Sequence, residues 1–148
     1  MLKFSRKTLL AFEAVLDIAY NARPDPVQSK DITRRLGIPQ RYLEQVMQQL
    51  VRSGVLKGTR GPRGGYTLAR ERRRITVAEI IRIVDAADTE TEEPPPASAL
   101  GSEVARPLWR DAQEAVLREL ETVTMQDLCA EAEGKGVKRG GSAPDFTI

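Results

Sequence analysis

"SKDITRRLGIPQRYLEQVMQQLVRSG", residues 29–54, is the stretch that decides the fold. Ser29 suits an N-cap, and Asp31 is well placed in the first turn behind it. The pattern predicts a short helix to Leu36, stopped by Gly37, while Pro39 disfavours helical geometry at Ile38. A second helix is expected from Pro39 or Gln40 to Ser53, ended by Gly54. A proline is tolerated at a first helical position because no amide bond is lost there. Two short helices around a tight glycine-containing turn make a helix-turn-helix. In the second helix Leu43, Val46, Met47 and Leu50 fall at i, i+3, i+4 and i+7 and form the expected buried face. Gln40, Arg41, Glu44, Gln45 and Gln48 lie opposite. That set can read base edges or hold phosphates, or be an ordinary solvated face.

Just downstream, "VLKGTR" (55–60) and "YTLAR" (66–70) read as two short strands joined by "GPRGG" (61–65). The segment is neither the G-x-x-x-x-G-K-[ST] loop that cradles nucleotide phosphates nor a G-x-G-x-x-G turn after a buried strand. A hairpin directly behind a helix-turn-helix is a wing. Its glycines permit a tight tip able to enter a narrow groove, where Arg60 and Arg63 would meet strong negative potential. The polyphosphate these residues point to is duplex DNA.

Upstream, residues 5–21 predict an amphipathic helix with Leu9, Phe12, Leu16 and Ala19 on its apolar stripe, widened by Val15 and Ile18. "ARPDPV" then breaks it with two prolines. Downstream, "ITVAEIIRIVDAAD" predicts a helix over 77–87 capped by Thr76. Arg72 to Arg74 before it either touch backbone phosphates or are solvated. "TETEEPPPASALGSE" (89–103) is acidic and proline-rich, the composition of a mobile loop. A long helix is expected from Ser102 or Glu103 to Glu121, with Val104, Leu108, Ala112, Ala115 and Leu120 on one stripe and Trp109, Val116 and Leu117 beside it. So much apolar surface has to pack against a symmetry mate or fold back on its own domain. The first choice gives a homodimer reading two half-sites about 34 Å apart. "TMQDLCAEA" predicts a last short helix capped by Thr124. The expected organisation is mostly α with a small β-hairpin: a winged helix-turn-helix over 1–75, then linker helix, acidic loop and dimerisation helix over 76–133, then a disordered tail over 134–148.

Composition narrows the function classes. The chain has no histidine, which removes the usual general base at neutral pH and the commonest metal ligand. One cysteine, Cys129, excludes an internal disulfide; it reads as a small buried hydrophobe or, alternatively, a redox switch. Glu13 and Asp17 interrupt the first apolar stretch, which makes it a poor signal peptide, and no run is long enough to span a membrane. A cytoplasmic protein is expected. The net charge of +2 hides an asymmetry: residues 1–74 hold 16 Lys+Arg against 6 Asp+Glu (+10), and residues 75–148 hold 7 against 15 (−8). A basic half suggests a polyanionic partner, with clustered solubility charge as the plainer reading. An enzyme using the Gly/Arg stretch as an anion site for a phosphorylated small molecule would lack a base, a phosphate loop and paired carboxylates.

These residues resemble the Rrf-two-type family of bacterial transcriptional regulators (IscR-, NsrR- and CymR-like proteins) over about residues 3–130. The most specific segment is "YLEQVMQQLVRSGVLKGTRGPRGGYTLAR" (42–70), supported by "ITVAEIIRIVDA" (75–86) and "LWRDAQEAVLRELETVTMQDL" (108–128). The resemblance implies a winged helix-turn-helix homodimer that binds palindromic operators, most simply as a repressor. It places Pro39, Gln40, Arg41 and Glu44 at base-contacting positions of the recognition helix and Arg60 in the minor groove. Lys3, Lys7, Ser29, Tyr42 and Arg63 complete the expected DNA-binding set. Val104, Leu108, Trp109, Ala112, Val116 and Leu120 form the expected dimer surface. Two departures stand out. Only Lys7 of the family's N-terminal lysine-glycine-arginine-tyrosine pattern is kept, in "KTLL" (7–10). Many members also hold an iron–sulfur cluster through three cysteines between linker and dimer helices. This chain has none there, and carries Glu103 and Arg106 where a cluster binder shows cysteine-x-x-histidine. No metal and no ordinary cluster are therefore expected, an iron–sulfur sensor with unusual carboxylate and thiolate ligands being the alternative. A regulatory partner protein or a small ligand becomes the expected input.

Overall fold

A computed structural model of the chain describes residues 5–22, 25–87 and 94–140; Lys3, residues 89–93 of the acidic loop and the last eight residues of the tail lie outside them. The elements are α1 (Arg6–Asn21), α2 (Ser29–Leu36), α3 (Gln40–Arg52), β1 (Leu56–Thr59), β2 (Gly65–Leu68), a single 3-10 turn (Arg72–Arg74), α4 (Val77–Ala87), α5 (Arg106–Leu120) and α6 (Met125–Gly134). The chain is mostly helical with one antiparallel hairpin, as its pattern predicts.

Local chemistry accounts for most boundaries. Ser5 caps α1 by accepting from the Thr8 amide at 3.2 Å. Gly37 ends α2 in the left-handed conformation, φ 68°, where a Cβ would be strained. Thr124 and Asp127 form a reciprocal capping box at α6, with bonds of 3.0 and 3.1 Å. At α2 the expectation fails by one position: Gln28, not Ser29, occupies the cap site, and Ser29 is the first helical residue. Pro39 likewise stands in the cap position ahead of α3.

The core is continuous. Ala14, Val15 and Ile18 of α1 meet Ile32 of α2, Leu43, Met47 and Leu50 of α3, Ile80 and Val84 of α4, and Met125 and Cys129 of α6. The backbone joins the two halves as well, with Val77 N donating to Val123 O at 3.0 Å and Met125 N to Ile75 O at 2.9 Å. The linker helix and last helix thus pack into the head's core. Leu9, placed on the α1 core stripe by its spacing, is 54% exposed.

The long helix begins earlier than its sequence suggests. Helical backbone starts at Ala99, passes through a π turn at Gly101–Ala105 and continues as α5. Ser98 starts it: its hydroxyl accepts from Gly101 N at 3.1 Å. The C-terminal part of this rod packs on the head. Leu117 is buried and Leu120 is half-buried against the core, while Arg82 on α4 donates to Glu121 at 2.9 Å and lies 3.7 Å from Glu114. The rest of the row is open: Leu100 is 76% exposed, Val104 61%, Leu108 70% and Trp109 59%.

The tail expected to be disordered from 134 is ordered through Gly140, because it completes the C-terminus of α1. Arg139 Nε donates to Tyr20 O at 3.1 Å and its guanidinium lies 4.9 Å over the Tyr20 ring. The Tyr20 hydroxyl donates to Val137 O, and Gly140 N donates to Asn21 Oδ1 at 2.6 Å.

Candidate nucleic-acid interface

The outer face of α3 follows from its inner one. With Leu43, Val46, Met47 and Leu50 buried, helical geometry turns Gln40, Arg41, Glu44, Gln45 and Gln48 outward, and all five are exposed, with Pro39 exposed just ahead of them. Gln40 Nε2 donates to Glu44 Oε1 at 3.2 Å, an i,i+4 pair that orients both amide and carboxylate. Tyr42, by contrast, is half-buried.

The hairpin stands against this face. Leu56 pairs with Leu68 and Thr59 with Gly65, and the connecting tip is closed by a Gly64 N to Gly61 O bond of 2.9 Å. Glycine is required at the second strand's start: a Cβ on Gly65 would lie 2.4 Å from Val27 O, so only the bare backbone lets the hairpin pair with the strand-like segment before α2. That pairing is reciprocal, Val27 N to Tyr66 O at 2.9 Å and Tyr66 N to Val27 O at 2.8 Å.

Between helix-turn-helix and hairpin lies an open cleft of about 550 Å³, lined by Gln28, Ser29, Lys30 and Gln40 on one side and by Thr59, Arg60, the wing glycines and Tyr66 on the other. Burial, and secondarily the Glu44 carboxylate, push the Tyr66 phenol above its ordinary value, so it keeps its proton and can donate. Ser29, Gln40 and Arg60 thus meet in one place. Arg63 is exposed at the tip, and Lys7, half-buried on the first turn of α1, does not line the cleft. Gln28, Lys30 and Tyr66 belong to the cleft but escape the sequence reading. Tyr66 was legible as a strand residue and as the tyrosine of the wing segment, not as a donor in the cleft, and Gln28 carries no motif.

The positive excess of the basic half is not spread evenly. Arg35 is half-buried in a bidentate pair with Asp17, both bonds 2.7 Å, which raises the guanidinium's pKa further. Arg34 pairs with Asp31, Arg70 with Glu79 and Arg73 with Glu71. Of the cations with no ion-pair partner among the described residues, Lys30 and Arg60 line the cleft, Lys57 and Arg63 stand on the wing, and Arg41 is on the outer face of α3. A cleft of this kind supplies amide, phenol and guanidinium donors beside uncompensated cations, the chemistry that holds phosphate and reads base edges.

The chain matches the Rrf2 family, described as iron-dependent transcriptional regulators, over residues 4–131. It is 34% identical over 134 residues to the HTH-type transcriptional regulator IscR of Xenorhabdus nematophila, covering 89% of this chain and 82% of that protein. The IscR of Klebsiella pneumoniae is 33% identical over 129 residues, covering 86% and 79%. Among solved structures, T. potens IscR superimposes with a TM-score of 0.73 at 30% identity over 93% of both chains. CymR, the global cysteine regulator of B. subtilis, does so with a TM-score of 0.69 at 29% identity, covering 88% of this chain and 98% of that one. The donor set here does not fit an iron centre built on thiolates. The chain's one cysteine is 1% exposed in the core on α6, it has no histidine, and among the described residues no three His, Cys, Asp or Glu side chains stand where they could share a metal ion. No helix among the described residues is long and apolar enough to cross a membrane. Fold, cleft and relatives agree on one conclusion: this chain belongs to the Rrf2 family of transcriptional regulators.

Proposed function

We propose that the chain is a homodimeric, sequence-specific DNA-binding repressor that works without an iron–sulfur cluster. α3 enters the major groove with Gln40, Arg41 and Glu44 toward base edges, and Pro39, Tyr42 and Ser29 at the edge of the contact. The wing lays Arg60 and Arg63 into the adjacent minor groove. The observation that carries this reading is the cleft, where Gln40 at the start of α3 faces Arg60 of the wing, with Lys30 and Arg60 holding no ion-pair partner among the described residues. The exposed row Val104, Leu108, Trp109, Ala112 and Val116 supports pairing of two rods, with Leu120 bridging from rod to core. Two heads held that way suit a palindromic operator. A regulatory partner protein or small ligand supplies the signal.

The test is selection of duplexes from a randomised pool, followed by genome-wide footprinting with and without candidate signals. The proposal expects an inverted repeat upstream of the regulated genes. Recovery of no consensus would remove it.

A further inference from the structure

We propose that Gln28 is a positioning residue that fixes the wing tip relative to the recognition helix and so sets where Arg60 and Arg63 fall along a duplex. The inference rests on the DNA-binding reading above. Gln28 stands at the cap site of α2, where Ser, Thr, Asp or Asn is favoured because a short side chain turns back to an amide of the first turn. The Gln28 side chain makes no such bond. Its Nε2 reaches across the cleft instead and donates to Pro62 O at the wing tip, 3.4 Å away.

The base of the hairpin is already held without it. The Val27–Tyr66 backbone pair and the close approach of Gly65 to Val27 fix where the hairpin starts. The tip, Arg60 to Gly64, has its own internal turn bond but extends beyond that anchor, so a small rotation at the base moves its arginines furthest. A long bond between exposed groups contributes little to folding; what it restricts is the direction of the tip. Gln28 also lies next to Ser29 and Lys30 on the cleft wall, so the same residue spans from the helix-turn-helix to the wing.

Gln28→Ser separates the two roles, because it gives α2 a short capping hydroxyl while removing the reach to Pro62. We expect an unchanged or higher thermal midpoint, with faster amide hydrogen exchange at Arg63 and Gly64 in the free protein. On a duplex selected by the wild-type protein from a randomised pool, hydroxyl-radical protection of the minor groove should weaken. Affinity should fall about three- to tenfold, the span one neutral hydrogen bond carries, with major-groove methylation protection retained. Gln28→Glu keeps the length but cannot donate to a carbonyl, so it should repeat the faster exchange and guards against an uninformative serine variant. Wild-type exchange rates at the tip in both variants would overturn the inference. If the wild-type protein selects no duplex, the DNA-binding reading fails by itself, and the exchange comparison still decides whether Gln28 tethers the tip.

Discussion

Arg60 and Arg35 show how differently two arginines of one basic half are used. Arg60 is exposed at the wing with no partner among the described residues, whereas Arg35 is spent inside the head on Asp17, its side chain 10% exposed against 8% for the aspartate. Charge counting over residues 1–74 cannot tell them apart, since the difference lies in which helix face each one occupies after folding. Their substitutions should therefore fail in different ways. Arg60→Ala is expected to weaken binding to a selected operator by about 1–3 kcal/mol and to reduce the salt slope by about one, with thermal stability unchanged. An unaltered gel-shift titration would remove Arg60 from the interface. Asp17→Ala should instead destabilise the fold by about 1–3 kcal/mol, because it leaves a half-buried guanidinium unpaired between α1 and α2. Urea unfolding measures this, and a loss below about 1 kcal/mol would mean that water compensates Arg35.

At the scale of elements, what was legible depended on whether the signal was local. Gly37, Thr76, Thr124 and the spacing of Leu43 to Leu50 act within a few residues, and the helices they mark stand where they predict. The misses turn on what packs there from elsewhere in the chain. Leu9 carries the right spacing for a core stripe, yet no element among the described residues fully covers it. The tail after Gly134 has a disordered composition, but its arginine and backbone find orphan acceptors at the end of α1, more than a hundred residues earlier in the chain. α1 has no basic residue in its own last turn, so Arg139 supplies both a donor and the favourable charge there. Arg139→Ala should lower the unfolding free energy by about 1 kcal/mol and speed amide exchange in the last turn of α1. Exchange identical to wild type at Asn21 and Ala22 would show the contact to be ornamental. The candidate site was legible to the same extent: α3's outer face and the wing arginines follow from periodicity and glycine content, while Gln28, Lys30 and Tyr66 joined them only through the fold.

The whole molecule combines a compact head with a rod whose outer half carries apolar side chains and no covering element among the described residues. Leu100, Val104, Leu108, Ala112, Val116 and Leu120 recur at every fourth position, a ridge suited to packing against the grooves of another helix. We expect Leu108→Arg, which touches nothing in the head's core, to leave the circular dichroism spectrum and thermal midpoint of the head intact. It should shift the protein from dimer to monomer in sedimentation velocity and lower operator affinity with it. A variant that stayed dimeric would move the pairing surface off the rod. The central claim concerns both parts at once, and one measurement reaches it most directly: sedimentation of the protein with its selected duplex across a series of salt concentrations. The account predicts two chains per duplex and an association constant that falls steeply as salt rises, with a slope of about −0.9 for each phosphate contacted. A monomer that leaves the duplex untouched even at low ionic strength would contradict it.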